Sequence, residues 1–546
     1  MQHRPLLVSS LLQHAEGVFP HATLVGRGSR DDLHRYGWNA AGERARAVAR
    51  AAKTWGIQRG DRVATLAGNT HRHFELYYAI PGMGAVLHPV NPRLHDDDLV
   101  YTLNQAGDRL LFVNPEFLPV VERLRPRLET VEAVGVLARP DDTVLEGGTT
   151  GRFGYEAWIA PYLDPTTRAG DASSGFHWPE LDEETPAAIC YTSGTTGRPK
   201  GVVYSHRTTV LHAMGISLPT GLGVTEDDVV LPVVPMYHVL AWGVPFSAAL
   251  CGYDLVLPGT ELDGASLSEL MRATGTTCVL GVPTVHLRLL DHWNATGRGV
   301  PTLRTALSGG AAPSRSMIQA LEAWGVELVH SWGMTETSPV GTMSRLGARE
   351  RQATEERRQD RLLRQGRPLF GVELRVVDEG GAELPRDGER AGELQVRGLW
   401  TISAYLEEEP GSAVDREGWL ATGDIAVIHP DGSMRITDRA KDLIKSGGEW
   451  ISSLALEDAA RDHPGIARAA AIAVPHREWG ERPLLLVVAE GDGTLSVEEV
   501  RSFLEERVAG FWVPERILFL KELPLGGTGK VDKDALRAQY GERTGR

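Results

Sequence analysis

The sequence predicts an α/β protein with two helix-covered α/β halves, a small β unit and a separate C-terminal α+β domain. Three observations indicate this fold class. Apolar segments of strand length alternate with amphipathic segments of helix length in two stretches, which predicts parallel sheets covered by helices. From residue 372 onward, short alternating segments follow one another as in a small β unit. The chain of 546 residues is also too long for one core, since domains commonly hold about 100 to 200 residues.

The two α/β halves are recognised by their apolar periodicity. Between residues 37 and 140, the pattern predicts a helix over Asn39 to Thr54, a strand over Arg62 to Leu66 and a helix over His71 to Gly82. Alternation resumes between residues 210 and 310. There the predicted strands are Val229 to Val234, Leu255 to Leu257 and Thr277 to Val282, and the predicted helix is Leu267 to Thr274.

The β unit and a domain boundary follow. Strands are predicted over Glu373 to Val377, Gly392 to Arg397 and Gly432 to Thr437, and the charged run from Asp438 to Asp442 comes directly after the last of them. We therefore predict an N-terminal domain of residues 1–437 and a C-terminal domain of residues 438–546. Residues 344–366 are rich in Arg and Glu and indicate a solvated helical face, while residues 141–184 indicate a long surface excursion.

Composition and charge exclude several function classes. The chain has 57 basic and 72 acidic residues, and its net charge of −15 repels nucleic acid and anionic membrane surfaces. The three cysteines, Cys190, Cys251 and Cys278, form no C-x-x-C pair, so neither a zinc site nor a disulfide framework is predicted and a cytoplasmic location fits. The apolar run from Val229 to Cys251 contains three prolines and a histidine, so we interpret it as a buried wall rather than a membrane span.

One stretch concentrates the groups expected around phosphates. Between Tyr191 and Gly201, hydroxyl side chains and glycines precede a lysine. Gly194 and Gly197 allow backbone N–H groups to converge on an anion, and Lys200 supplies the opposite charge. The spacing differs from a Walker A loop, in which Lys directly follows Gly and precedes Ser or Thr. The pattern therefore predicts a phosphate-binding loop of another class, with hydroxyl donors Thr192, Ser193, Thr195 and Thr196.

Four further polar, glycine-containing stretches carry candidate chemistry. In Ser331 to Thr337, the Trp332 ring is suited to stacking on a base and Glu336 to holding a cation at phosphates. Asp424 ends a turn after an apolar strand and is suited to accepting hydrogen bonds from a ribose diol. Each stretch alone is compatible with an ordinary turn or a solvated charge. The remaining two are Asp438 to Ile451, with Arg439, Lys441 and Lys445 ahead of a double glycine, and Pro524 to Lys530, which ends in a cation.

Taken together and in this order, the five stretches resemble the acyl-adenylate-forming superfamily of acyl-CoA synthetases, peptide-synthetase adenylation domains and luciferases. The resemblance covers nearly the whole chain. Pro235 to Gly243 and Lys441 to Ser453 look like the corresponding segments of medium- and long-chain fatty acyl-CoA ligases. The resemblance implies a large N-terminal domain of two α/β subdomains and a β subdomain, followed by a mobile C-terminal domain.

The resemblance also implies roles for residues that match the family motifs. Glu336 would bind Mg²⁺, with Thr192 as a second metal-binding candidate, and Asp424 and Arg439 would hold the ribose hydroxyls. Thr335 would touch a phosphate. The residues expected around the ATP phosphates are Thr192, Ser193, Gly194, Thr195, Thr196, Gly197 and Lys200. Those expected around adenine and the acyl carboxylate are Gly309, Gly310, Ala311, Ser331, Trp332, Gly333 and Met334.

In the family, one lysine serves the first half-reaction and then withdraws. Lys530 would contact the carboxylate and the bridging oxygen while the adenylate forms. The C-terminal domain would then pivot about Asp438 and bring another loop to line the pantetheine tunnel of CoA. The cofactor-binding residues expected in that segment are Lys441, Lys445, Gly447, Gly448 and Trp450, and the catalytic residues implied overall are Lys530, Thr192, Glu336 and His238.

The acyl group is expected against the apolar wall, in a pocket formed by His238, Val239, Trp242 and Gly243. Trp242 resembles the gate of a fatty-acid tunnel, although plain core packing is the alternative. Tyr237 and Leu240 depart from the usual Phe and Asn of fatty acyl ligases, and three residues before Thr528 depart as well. The departures at Tyr237 and Leu240 concern the acyl specificity, and those before Thr528 leave the Gly529-Lys530 pair intact.

The leading interpretation is an ATP- and Mg²⁺-dependent acid–CoA ligase for a medium- or long-chain fatty or arylalkanoic acid. We expect no nucleic-acid partner. We expect a homodimer, which some relatives form. One alternative is a CoA-independent adenylating enzyme that activates an aryl acid, or nitrite for diazotisation of an arylamine. Another is a nucleotide sensor without catalysis. Retention of Lys200, Glu336, Asp424, Arg439 and Lys530 together argues against the sensor.

Overall fold

The structure is a computed structural model, and it describes residues 2–28, 32–138, 151–163, 176–192, 198–446, 449–477, 479–491, 495–526 and 530–541. Their helices are α1 (Val8–Val18), α2 (Trp38–Trp55), α3 (His71–Gly82), α4 (Asp96–Ala106), α5 (Leu118–Leu124), α6 (Tyr155–Leu163), α7 (His206–Ser217), α8 (Val244–Cys251), α9 (Gly264–Thr274), α10 (Pro283–Thr296), α11 (Arg315–Ala323), α12 (Ala348–Arg351), α13 (Glu355–Leu363), α14 (Ser453–Arg461), α15 (Val497–Glu505) and α16 (Lys533–Tyr540). Among these residues, no helix combines the length and the apolar character that crossing a membrane requires.

The strands fall into two groups along the chain. Up to residue 343 they are β1 (Thr23–Arg27), β2 (Leu33–Gly37), β3 (Arg62–Leu66), β4 (Val86–Pro89), β5 (Asp108–Val113), β6 (Ala133–Val136), β7 (Arg152–Gly154), β8 (Pro186–Tyr191), β9 (Gly201–Ser205), β10 (Val229–Pro232), β11 (Asp254–Leu257), β12 (Cys278–Gly281), β13 (Thr305–Ser308), β14 (Glu327–Gly333) and β15 (Val340–Met343). After it they are β16 (Arg367–Pro368), β17 (Val372–Val377), β18 (Gly392–Gly398), β19 (Leu420–Ile428), β20 (Met434–Arg439), β21 (Ile444–Ser446), β22 (Glu449–Ile451), β23 (Ile466–His476), β24 (Gly480–Ala489) and β25 (Arg516–Phe519).

Two large sheets carry the two α/β halves. One has the order β7-β6-β5-β3-β4-β8-β9 and the other β16-β15-β14-β13-β12-β10-β11-β1-β2. Their central pairs are parallel, for example β3 with β4 and β12 with β13, whereas β8 pairs antiparallel with β9. The prediction of parallel, helix-covered sheets is therefore confirmed, with antiparallel strands added at the edges.

Two smaller sheets follow. Strands β17-β18-β19-β20, in this order, form an antiparallel β unit. Strands β21 to β25 form a separate sheet, and along the chain α14 follows β22, α15 follows β24 and α16 follows β25. The predicted boundary at residue 438 falls inside β20, and it stays a prediction. The predicted fold class, a large N-terminal α/β part with a β unit and a smaller C-terminal α+β part, is confirmed.

The two large sheets meet through aromatic residues of α3 and α8. The Tyr77 and Tyr78 rings each lie 5.8 Å from the Phe246 ring, and all three side chains are buried. The Tyr78 hydroxyl also donates a hydrogen bond to the Pro245 carbonyl at 2.7 Å. This packing joins the sheets and positions the segment between β10 and α8.

Two sequence predictions are corrected. The predicted strand from Val229 ends at Pro232, because Asn69 Nδ2 donates to the carbonyls of Pro232 and Val234 at 2.9 Å and draws the chain out of the sheet. The excursion predicted over residues 141–184 is not simply a surface loop. Of its described residues, β7 joins a sheet and α6 packs with buried Tyr155 and Ile159.

Candidate active site

Most of the predicted site residues that the structure describes line one cavity of about 1610 Å³ at the carboxyl ends of the parallel strands. This is where ligands bind in α/β sheets. Residues from both large sheets, the β unit and the C-terminal part line it. The predicted residues among them are Thr192, Lys200, His238, Val239, Trp242, Gly310, Ala311, Ser331, Trp332, Gly333, Met334, Thr335, Glu336, Asp424, Arg439, Lys441 and Lys530.

The predicted phosphate loop lies in sequence between β8 and β9, which pair antiparallel. The Thr192 N–H donates to the Lys200 carbonyl at 2.9 Å, and the Lys200 N–H donates to Thr192 Oγ1 at 3.1 Å. These two bonds close the base of the loop and fix the position from which the Lys200 side chain extends. Lys200 Nζ lies 4.4 Å from the centre of the Tyr405 ring and 3.6 Å from Glu408 Oε1.

Glu336 lies on a short 3₁₀ turn, Thr335–Thr337, that links β14 to β15. Only 7% of it is exposed. The Tyr405 hydroxyl donates to Glu336 Oε1 at 2.8 Å, and the Tyr204 hydroxyl donates to the Thr335 carbonyl at 2.6 Å. The turn is therefore fixed at both residues while Glu336 faces the cavity.

Asp424 and Arg439 face each other across β19 and β20, where the register pairs them directly. Arg439 Nε lies 3.4 Å from Asp424 Oδ1, and Trp332 Nε1 donates to Asp424 Oδ2 at 2.9 Å. The Trp332 indole is thus hydrogen-bonded to the Asp424 carboxylate, which is predicted to bind the ribose. Because Asp424 is buried and already paired, its carboxylate is held in a fixed orientation.

Lys530 extends from the C-terminal part into the cavity. A Cβ atom added to Gly310 would lie 3.5 Å from Lys530 Cε, so the lysine stem passes close to that glycine. Lys530 as a whole residue is exposed, but protein atoms lie around its side chain in the cavity. This burial and the charge of Arg439 lower the pKa of Lys530 to about 8, while Asp424 acts in the opposite direction.

His238 lies on the same side of the cavity as Lys530. Burial first, and then the nearby Lys530 charge, lower the pKa of the imidazole to about 4. His238 is therefore neutral at pH 7. It can exchange hydrogen bonds with a substrate, but it supplies no positive charge for a carboxylate.

The apolar wall follows β10 and takes an unusual backbone path. Val239, Leu240, Ala241 and Trp242 all have positive φ values, between 38° and 55°, before Gly243 at 77°. Non-glycine residues adopt this left-handed region at a cost of about 1 to 2 kcal/mol each. The four side chains are buried, as the wall prediction requires, and their packing holds the turn.

Trp242 reaches toward the loop after β13. A Cβ atom on Gly309 would lie 2.8 Å from the Trp242 indole and 2.6 Å from Ser331 Oγ, so only glycine leaves room for the ring there. The indole therefore packs over the backbone that is expected to frame the acyl carboxylate.

The sequence profile of the AMP-binding enzyme family matches residues 12–406, and the profile of the AMP-binding enzyme C-terminal domain matches residues 455–530. The chain belongs to the AMP-binding enzyme family. The predicted membership of the acyl-adenylate-forming superfamily is thereby confirmed.

Relatives of this AMP-binding enzyme include CoA ligases that align over nearly their whole length. The chain is 44% identical to a 3-methylmercaptopropionyl-CoA ligase of Ruegeria pomeroyi, covering 99% of this chain and 98% of the relative. It is 41% identical to a medium-chain-fatty-acid–CoA ligase of Ectopseudomonas oleovorans, covering 99% and 97%. The fold resembles that of the anthranilate CoA ligase AuaEII in complex with anthranoyl-AMP, with a TM-score of 0.85, 24% identity and 98% coverage of both chains.

Some predicted residues of this AMP-binding enzyme are not placed at the cavity. Lys445 is exposed on β21, where its N–H donates to Glu481 Oε2 at 2.8 Å, and its backbone pairs with that of Trp450. Gly309 lies against the Trp242 ring and Gly243 follows Trp242 in the chain, but neither glycine lines the cavity. The residues outside the described part of the chain are Ser193, Gly194, Thr195, Thr196, Gly197, Gly447 and Gly448, and the side chain of Trp450 is outside it too.

Two residues that shape the site of this AMP-binding enzyme have no clear sequence signal. Asn69 Oδ1 accepts the Met236 N–H at 2.7 Å, so this buried side chain fixes the start of the wall from the other large sheet. Tyr405 contacts both Glu336 and Lys200. Neither residue lies in a glycine-rich motif. Tyr405 lies between the family-like blocks Tyr191 to Gly201 and Thr422 to Asp424, and this position is its only signal in the sequence.

Proposed function

We propose that the protein is an ATP-dependent, AMP-forming acid–CoA ligase that activates a medium- or long-chain fatty acid, or an arylalkanoic acid. The observation that carries the proposal is the convergence of Lys200, Glu336, Asp424 and Lys530 on one cavity. Relatives that are 41% to 44% identical over nearly the full length act as acid–CoA ligases by name, which supports the same reaction class.

In the first half-reaction, a carboxylate oxygen of the acid attacks the α-phosphorus of ATP. The bond to pyrophosphate breaks, and an acyl-AMP forms. Both reactants are anions, so positive charge must be placed where they meet. We assign Lys530 to the carboxylate and the bridging oxygen, and Lys200 to the departing pyrophosphate. Asp424 is assigned to the ribose, where its paired and fixed carboxylate orients the nucleotide.

The residues of the cavity fit a bound Mg²⁺ ion. This ion commonly takes one or two protein carboxylates together with substrate phosphates and water. Glu336 is such a carboxylate, and no group of three His, Cys, Asp or Glu side chains suited to a metal occurs among the described residues. Glu336, with Thr192 beside the phosphate loop, would hold the ion, which supplies charge neutralisation at the phosphates when bound.

In the second half-reaction, the sulfur of CoA attacks the acyl carbon, and AMP leaves as the thioester forms. We assign the exchange between half-reactions to movement of the C-terminal domain about Asp438. This residue is the last but one of β20, the final strand of the β unit, and its carboxylate accepts a hydrogen bond from Ser453 Oγ of α14 at 3.1 Å. The link makes Asp438 the natural point at which the two domains rotate.

A panel of acids tests the function. Incubation with ATP, Mg²⁺, CoA and fatty acids of increasing chain length, together with arylalkanoic acids, is expected to give AMP, pyrophosphate and acyl-CoA in equal amounts. Parallel reactions with arylamine and nitrite in place of CoA test the acceptor. Consumption of ATP without a thioester for every acid would contradict the proposal, and AMP formation with arylamine plus nitrite alone would favour the CoA-independent alternative.

Adenylation is expected to weaken as the pH rises through about 8, because the pKa of Lys530 is lowered from 10.5 to about 8. A lysine is charged below its pKa, so the stabilising charge is present below that pH and lost above it. The pH profile of kcat/KM for pyrophosphate release reports this group in the free enzyme. Lys530→Arg keeps its charge at higher pH and should move the alkaline limb upward. An alkaline limb that stays in place in this variant would contradict the assignment.

We also propose that the enzyme is a homodimer and that it is cytoplasmic. The three cysteines are free, which agrees with a reducing compartment.

A further inference from the structure

Tyr405 contacts two side chains that are assigned to the bound nucleotide and its metal ion, Lys200 and Glu336. Its hydroxyl donates to Glu336 Oε1 at 2.8 Å, and its ring centre lies 4.4 Å from Lys200 Nζ. Glu336 is on the turn after β14, whereas Lys200 ends the loop between β8 and β9. One side chain of the β unit thus contacts residues from both large sheets.

The backbone around Tyr405 fixes this arrangement. The Ile402 N–H donates to the Glu336 carbonyl at 3.0 Å, and the Leu406 N–H donates to the Gly201 carbonyl at 2.8 Å. The segment is therefore bound to the turn between β14 and β15 on one side and to the first residue of β9 on the other. The Tyr405 ring is half-buried, and its segment is hydrogen-bonded on both sides. The ring is therefore fixed and determines the position of the Lys200 ammonium.

We propose that Tyr405 is a positioning residue that presents the Glu336 carboxylate to a divalent cation and the Lys200 ammonium to the phosphates of the same nucleotide. The inference rests on the proposed function, because it assigns Glu336 and Lys200 to bound Mg²⁺–ATP. The Tyr405 hydroxyl donates a hydrogen bond to Oε1 of Glu336, and this bond orients the other carboxylate oxygen, Oε2, relative to the cavity. A carboxylate aligned in this way loses less freedom when it binds a metal.

The electrostatics of the cluster support this role. Lys200 also pairs with Glu408 at 3.6 Å, but both side chains are largely exposed, at 56% and 40%. Such exposed pairs are weak. Incoming phosphates can therefore take Lys200 from Glu408 while the aromatic ring keeps it at the loop.

Two substitutions separate the two contacts. Tyr405→Phe removes the hydroxyl and keeps the ring, whereas Tyr405→Leu removes both. Mn²⁺ replaces Mg²⁺ as the probe, because free Mn²⁺ is measured directly by electron paramagnetic resonance in the presence of ATP. Calorimetry of ATP binding without metal reports the Lys200 side. Tyr162→Phe is the matched control, since Tyr162 is a half-buried tyrosine next to Arg50 and outside the cavity.

We expect Tyr405→Phe to raise the dissociation constant for Mn²⁺ about 10-fold, as removal of a partner of a metal ligand commonly does. Metal-free ATP binding should stay unchanged in this variant and weaken only in Tyr405→Leu. In a Glu336→Gln background, Tyr405→Phe should have no further effect on Mn²⁺ binding, because the hydroxyl acts through that carboxylate. Circular dichroism melting curves check that each variant is folded.

The inference is overturned if Tyr405→Phe leaves Mn²⁺ binding unchanged while Glu336→Gln weakens it, or if the two effects add in the double variant. It is also overturned if Glu336→Gln itself leaves Mn²⁺ binding unchanged. Failure of the proposed function is read separately, from the absence of acyl-CoA in the panel of acids with the unsubstituted protein. The two failures are therefore distinguishable.

Discussion

Replacing Lys530 by alanine is expected to lower the rate of acyl-AMP formation by about 10²- to 10³-fold, the usual cost of removing one preorganised group that stabilises developing charge. Lys530 projects into the cavity near Arg439 and Asp424, where two anions must meet during adenylation. Alanine removes this charge and leaves the phosphate loop and Glu336 in place. The measurement is pyrophosphate release at saturating ATP and acid.

The two half-reactions give the control for this prediction. When acyl-AMP is supplied directly, the Lys530→Ala variant should still transfer the acyl group to CoA at a rate close to that of the unsubstituted protein. Lys521→Ala removes an exposed lysine of the same part of the chain that does not line the cavity, and it should leave both rates unchanged. Undiminished overall turnover in Lys530→Ala would reject the assignment of this lysine to adenylation.

The sequence predicts the fold well wherever apolar periodicity decides the element. The helix predicted over Asn39 to Thr54 is observed as Trp38–Trp55, because its alanine-rich face packs continuously against the core. Strand ends are less predictable. Val233 and Val234 are as apolar as β10 itself, but their N–H groups donate to the Leu280 carbonyl and the Asn69 side chain binds the carbonyls around them. Those bonds depend on distant residues, which periodicity does not register.

In the candidate site, too, local motifs are predictable from the sequence and contacts between distant residues are not. Lys200, Glu336, Asp424 and Lys530 are predicted to share one site because each lies in a short motif and the motifs, taken in order, resemble one enzyme family. The Tyr405 contact with Glu336 spans 69 positions, and the Asn69 contact with Met236 spans 167. Only tertiary structure brings such pairs together.

The left-handed turn at Trp242 is a further feature that local propensity opposes. Four consecutive residues without a glycine adopt positive φ values there. Burial of their side chains compensates for the strain, and the sequence pattern contains no signal for either. The segment predicted as a buried wall is buried, its contact with an acyl group stays a prediction, and its backbone path is not predictable from the sequence.

Replacing Gly333 by alanine is expected to destabilise the protein by about 3 kcal/mol and to lower adenylation with it. A Cβ atom at this position would lie 1.9 Å from the Pro339 carbonyl oxygen and 3.0 Å from Val340 Cα. These are backbone atoms at the start of β15, so no side chain can rotate away to make room, and overpacking of this kind commonly costs about 1 to 3 kcal/mol or more. The glycine of this motif is thus required by the close approach of two strands.

The consequence of Gly333→Ala for activity follows from the turn that these strands hold. Gly333 pairs with Val340 across β14 and β15, and the residues between them include Thr335 and Glu336. Pushing the strands apart displaces Glu336 from Tyr405 as well as from the cavity, so nucleotide binding should weaken along with stability. Thermal unfolding followed by circular dichroism should give a midpoint lower by about 3 °C. Gly17→Ala is the matched control, because an added Cβ meets nothing within 4 Å at that exposed end of α1, and its midpoint should stay the same or rise. If Gly333→Ala melts and adenylates like Gly17→Ala, the close approach of the two strands does not determine this position.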